Sequence, residues 1–181
     1  RDERFRDSLE THLAILKRNS ILNVWHDRKI GPGKHLGNEI DAHLEDSTLI
    51  LLLVSADFIA SDYCFANELR RAMEKNTAGQ ARVIPVILRP VDWRDTPFAN
   101  LKALPRDGKP VTSWRNRDEA YLDITRGLRE AVEELRVQER RKHSAAETNL
   151  ALDAYQGSVA QVGGVGSRLV TKTAWLLTEH G

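Results

Sequence analysis

The sequence predicts an α/β fold, a parallel sheet with helices on both faces, and three observations predict it. Stretches of helical periodicity alternate with short apolar runs through residues 1–142, the pattern of helices laid over a parallel sheet. The runs Thr48–Ser55 (TLILLLVS) and Arg82–Leu88 (RVIPVIL) show no polar–apolar alternation, as befits strands buried on both faces. The chain has 181 residues, 41% of them hydrophobic, enough for one domain with its own core and an appendage.

The elements follow in order. Phe5, Leu9, Leu13 and Leu16 stand at i, i+4, i+8 and i+11 with charges between, which predicts an amphipathic helix over 3–18. Ile21–Trp25 (ILNVW) is a short strand. A polar loop from His26 to Gly37 carries Gly31-Pro32-Gly33, a turn signal. A helix over 37–46 turns Ile40 and Leu44 inward. After the Thr48–Ser55 strand, Ser61 or Asp62 is placed to cap a helix over 63–76. Pro85 has no N–H for a ladder, so the Arg82–Leu88 strand lies near an edge or is locally irregular. Residues 91–108 form a loop with a helical turn near Phe98–Leu101, and Pro110–Trp114 is a last short strand. A long helix over 116–142 carries Tyr121, Ile124, Leu128, Val132 and Leu135 on one stripe.

A helix opens this series with no strand before it. Arg1 is not a start methionine, and RDERFRDSLE has no apolar core, so it is not a secretion signal. The chain reads as a fragment or as part of a longer protein. Residues 143–158 read as a polar linker. Residues 159–181 read as the start of a following module: an apolar strand, a glycine stretch (VAQVGGVG) and an apolar helix from Ser167 to Leu177. That is the outline of a phosphate-binding loop, but Ser167-Arg168 stand where the motif needs its lysine.

Composition excludes several classes. Lys+Arg is 27 and Asp+Glu is 26, a net charge of +1, so no bulk electrostatic pull toward nucleic acid exists. The longest apolar run, Leu49–Val54, is far shorter than a bilayer span of about 20 residues. The one cysteine, Cys64, allows no disulfide framework and no cysteine-based zinc site, which fits a reducing cytoplasm. The histidines show no metal-ligand spacing, so neither a metal nor a cofactor is expected.

Ligands of parallel α/β sheets bind beyond the carboxyl ends of the strands. Trp25, His26, Asp27 and Arg28 end one strand and fall in that region. Trp25 could stack on a planar base or pack in the core, and Asp27 could brace its loop. Ser55 and Asp57 end the next strand and either line the same cleft or only terminate the strand. Cys64 would need a base to act as a nucleophile, and no histidine is near it in sequence. Burial as a packing residue is the favoured reading.

Four stretches in order carry a resemblance: VWHDRKIGPG (Val24–Gly33), LLLVSADFIASDYCFANEL (Leu51–Leu69), RVIPVILRPVDW (Arg82–Trp93) and LPRDGKPVTSW (Leu104–Trp114). Together they resemble a bacterial TIR (Toll/interleukin-1 receptor) domain over about residues 1–137. The resemblance implies a flavodoxin-like, five-stranded parallel sheet whose first strand would precede Arg1, so residues 1–142 read as a TIR domain lacking that strand. The tail is similar to the start of a STAND-type NTPase module, without its lysine.

Many domains of this family cleave NAD+ at the nicotinamide–ribose bond, with a glutamate on the helix after the third strand. By motif position that glutamate is Glu68. The resemblance implies NAD+ as substrate rather than cofactor. It places Trp25, Asp27, Arg28, Gly31, Ser55, Tyr63 and Cys64 about it, with Trp25 and Tyr63 able to sandwich the base. It implies homo-oligomeric partners, since the loop Gly31–Gly37 often contacts a neighbouring TIR domain, although the same loop could be a plain turn. A cytoplasmic role in bacterial antiviral defence follows from the same likeness. Taken by itself, Glu68 could simply pair with Arg71 at i+3. A non-catalytic interaction scaffold is the competing function. A phosphoacceptor receiver is disfavoured, because Ser55 ends the strand where an aspartate is needed.

Overall fold

A computed structural model describes residues 2–26, 36–61, 67–156 and 171–176. The elements are α1 (Glu3–His12), α2 (Ala14–Arg18), β1 (Leu22–Trp25), α3 (Leu36–Asp46), β2 (Leu49–Val54), α4 (Ala56–Ala60), α5 (Leu69–Thr77), β3 (Arg82–Ile87), α6 (Arg117–Gln156) and β4 (Thr171–Leu176). The strands form one parallel sheet in the order β1-β4-β2-β3.

The β2 run explains the two-layered core. All six of its residues are buried. Successive side chains of a strand point to opposite faces, so Leu49, Leu51 and Leu53 join one cluster and Ile50, Leu52 and Val54 the other. The first cluster is closed by Phe5 and Leu9 of α1, Leu16 of α2, and Tyr121, Ile124, Leu128 and Val132 of α6. The second is closed by Leu44 of α3, Phe58 of α4, and Leu69 and Ala72 of α5. Each such aliphatic side chain contributes about 1.5–3 kcal/mol on burial. The helical stripes read from the sequence are the buried ones, apart from the half-buried Leu135.

Strand β3 is at the sheet edge, the first of the two alternatives that Pro85 left open. Arg82 and Leu88 donate their N–H groups to Thr48 and Val54, on the β2 side. Alternate residues face outward. There the Val83 N–H is taken by Asn76 Oδ1 at 3.0 Å, Pro85 has no N–H, and Ile87 donates to Leu104 O at 2.8 Å. The proline thus occupies an outward position, where no ladder partner is lost.

Three expectations are corrected. Pro110–Trp114 is not a strand: Val111–Ser113 form a 3₁₀ turn, and Leu104 makes a single bridge to Val86 instead. Pro110 opens that stretch and cannot donate to a ladder. The helix expected over 63–76 is described from Asn67 onward, with α5 over Leu69–Thr77; its expected cap at Ser61 or Asp62 involves residues 62–66, which lie outside the described residues. The long helix expected over 116–142 runs on to Gln156, through the stretch 143–156. That stretch holds Ala, Glu and Leu and no Gly or Pro before Gly157, so nothing in it stops a helix. Finally, the tail helix expected over 167–177 is replaced by a strand, Thr171–Leu176. Its two threonines and Trp175 are strand formers. It lies inside the sheet, between β1 and β2. Residues 159–166 lie outside the described residues.

Candidate active site at the carboxyl edge of the sheet

In a βαβ unit the helix starts where the strand ends, so the carboxyl edge gathers strand ends and helix starts. Four polar side chains meet there. Ser55 follows β2 and caps α4, accepting the Phe58 N–H at 3.1 Å. Its hydroxyl donates to Asp2 Oδ2 at 2.5 Å. Asp2 precedes α1, is 1% exposed, and does not cap its own helix. Arg89, two residues beyond β3, reaches Asp2 Oδ1 with Nε at 2.9 Å and Oδ2 with Nη2 at 3.3 Å. The same Nη2 pairs with Asp57 in the first turn of α4. Burial works against the Arg89 charge, but hydrogen bonds to Asp2 and Asp57 outweigh it and hold the guanidinium above its ordinary value.

This cluster joins the start of α1, the β2–α4 turn and the end of β3. Sequence reasoning named Ser55 and Asp57 and missed Asp2 and Arg89. The available signal for Arg89 is a charged residue directly after an apolar strand, at the end where ligands bind. Asp2 has no such signal, because its partners are 53 and 87 residues away.

Glu68 lies at the same edge, at the N-terminus of α5. It is 5% exposed, and its side chain does not cap the helix. Asn67 and Glu68 carry π-type winding, a feature frequent at functional sites. Arg71, the partner a solvated glutamate would take, turns instead to Glu45 and to Glu74 at 3.2 Å.

Trp25 and His26 end β1. Trp25 stacks on His43 of α3, with centroids 4.0 Å apart and planes 19° apart. His26 is buried, with Nε2 3.4 Å from Glu10 Oε2. Asp27, Arg28, Gly31, Tyr63 and Cys64 lie outside the described residues. At the opposite edge, a cavity of about 390 Å³ is lined by Arg82, Val83, Leu104 and Glu134 among others. Among the described residues, no three His, Cys, Asp or Glu side chains are grouped to hold a metal, and no helix is long and apolar enough to cross a membrane.

Comparison with known proteins supplies the family. Residues 3–136 match the family described as TIR domain. The chain is 53% identical over 131 residues to an uncharacterized protein, y4lF, of Sinorhizobium fredii. That alignment covers 72% of this chain and 41% of the relative, so the chain spans less than half of that protein's length. No solved structure matches. The parallel sheet, the two helical layers and the match over residues 3–136 agree, and the chain belongs to the TIR domain family.

Proposed function

We propose that this chain is a TIR-domain NAD+ glycohydrolase that cleaves the nicotinamide–ribose bond, with Glu68 as its key carboxylate. The observation that carries the reading is the placement of Glu68: a buried carboxylate, not used as a helix cap, at the edge where parallel sheets bind ligands. Breaking an N-glycosidic bond builds positive charge on the ribose, as in glycoside hydrolysis. A carboxylate beside the ribose accepts hydrogen bonds from its hydroxyls and stabilises that charge. Nicotinamide departs as a neutral base, so no strong general acid is required. Water then adds to the ribosyl carbon and releases its proton.

In this reading Trp25 and Tyr63 flank the base, and Asp27, Arg28, Gly31 and Cys64 line the approach. Ser55, held to Asp2 and through it to Arg89, stands at the same edge. Self-association of TIR domains in a bacterial cytoplasm activates the enzyme as part of antiviral defence, in a longer protein whose further modules, such as a STAND NTPase, supply the trigger.

The test is nicotinamide release from NAD+ by concentrated protein, wild type beside Glu68→Gln. The substitution keeps the shape and removes the charge. Release by wild type and a loss of at least 100-fold in the variant are expected, on the order of one transition-state contact in a dry site. No release by either protein, even when the chains are clustered on beads, would replace the enzyme with an interaction scaffold.

A further inference from the structure

The outer edge of β3 borders a cavity that the candidate active site does not use. Its volume is about 390 Å³, within the range of about 300–1,000 Å³ typical of small-molecule sites. It lies between the amino half of β3 and the middle of α6. Val83, Ile84, Leu101, Leu104 and Ala131 give it an apolar lining, and Gly127 of α6 adds bare backbone.

Two polar groups stand at this lining. Residues 83, 85 and 87 turn their backbone groups away from β2. The Val83 N–H goes to Asn76 Oδ1 at 3.0 Å, the Pro85 carbonyl accepts from the Leu104 N–H at 2.8 Å, and the Ile87 N–H goes to the Leu104 carbonyl. A strand residue's N–H and C=O point to the same side, so the Val83 carbonyl points outward as well. Among the described residues nothing donates to it. Val83 is 4% exposed, and a buried carbonyl without a donor is costly. The second group is the Asn76 amide. The Val83 N–H needs an acceptor, which fixes the amide oxygen on it. That leaves Nδ2 as a donor with no acceptor among the described residues.

The surroundings narrow the occupant. Arg82 Nη1 meets Glu134 Oε2 at 2.6 Å, and Lys102 and Glu130 add one charge of each sign. Such a balanced rim favours a neutral molecule over an ion. The open edge is also short. Pro85 has no N–H and its carbonyl is already taken by Leu104, so an added peptide strand finds no ladder beyond Val83. A single amide group fits where a strand does not.

We propose that this cavity binds a small, neutral, planar molecule bearing a carboxamide. Its NH2 donates to the Val83 carbonyl, its carbonyl accepts from Asn76 Nδ2, and its ring packs on Leu101, Leu104 and Ala131. Nicotinamide, the leaving group of the reaction proposed above, belongs to this class, but the inference does not rest on that reaction.

The experiment titrates the full chain with benzamide, nicotinamide and benzoate and follows assigned NMR signals, which needs no turnover. Both carboxamides are expected to shift Val83, Leu104, Gly127 and Ala131, and benzoate, which lacks the donor, is expected to leave them in place. Asn76→Asp keeps the oxygen that takes the Val83 N–H and removes the donor. It should weaken binding about tenfold, on the order of one hydrogen bond. Ala131→Leu fills the cavity from the α6 side and should abolish the shifts. A thermal melt of each variant confirms that it is folded. Shifts confined to Trp25 and Glu68 at the carboxyl edge, or no shifts at all, would overturn the proposal. So would equal binding of benzoate, or undiminished binding by both folded variants.

Discussion

Asp2 shows how a single buried carboxylate can tie three elements together. It is 1% exposed and takes a hydroxyl from Ser55 and the guanidinium of Arg89. Removing one partner of such a pair strands the other in a poorly solvated place, which costs about 3–5 kcal/mol. Arg89 keeps 27% exposure, so Asp2→Ala is expected to cost about 3 kcal/mol in urea unfolding, the lower end of that range. Adding Arg89→Met should cost little more, since the stranded charge is then gone. Fully additive losses would show that the two residues act independently. Lys75 is a second case. It is 3% exposed, and its ammonium caps the end of α3 through the Leu44 carbonyl at 3.0 Å and the Glu45 carbonyl. Burial pulls its pKa below the ordinary 10.5. Between the folded value and 10.5 the unfolded chain holds a proton that the folded chain has shed. Lys75 therefore contributes stability that grows as pH rises through that window. Wild type should gain on Lys75→Met as pH is raised toward 10.5, in paired urea titrations. A constant gap between the two proteins would contradict this.

Among the elements, α6 and the edge of β3 constrain each other. Gly127 sits inside α6, where alanine would ordinarily gain about 1 kcal/mol of helix propensity. A Cβ at this position would stand 2.6 Å from Leu104 Cδ2, and Leu104 makes the bridge that protects the outer edge of β3. Overpacking of this kind costs about 1–3 kcal/mol. Gly127→Ala is therefore expected to lower the thermal midpoint, and Leu104→Ala in the same chain should cost less than the two single losses combined. A gain in stability for the single variant would show that the Leu104 side chain moves away freely. The edge itself needs few protections: Asn76 caps one outward N–H, Pro85 has none, and Leu104 takes the third.

At the scale of the whole molecule, β4 is the element on which the sheet's continuity rests, because β1 touches β2 only through it. Proline cannot donate to a ladder, so Thr173→Pro should open the sheet at its centre. Hydrogen exchange is expected to accelerate together at Leu22–Trp25 and Leu49–Leu52, while β3 and α5 keep more of their protection. Unchanged exchange at β1 and β2 would mean that the sheet does not need this strand. The family match ends at residue 136, so the tail that completes the sheet lies outside the part shared with TIR domains.

The sequence by itself determined the local and periodic features. Uniformly apolar runs identified the buried β2 and β3, helical stripes identified the faces of α1 and α6, and Pro85 marked an edge, because each signal is a property of neighbouring residues. The TIR family was legible through an ordered set of motifs. Only the tertiary structure decided what depends on distant partners. Asp2 and Arg89 meet across 87 residues, and Thr171 pairs with Leu22 from the far end of the chain. A strand's place in a sheet is set by the slot left open for it, and its own six residues do not encode that slot. The same holds for Thr171–Leu176, whose apolar character fits a helix or a strand until β1 and β2 offer their unpaired edges.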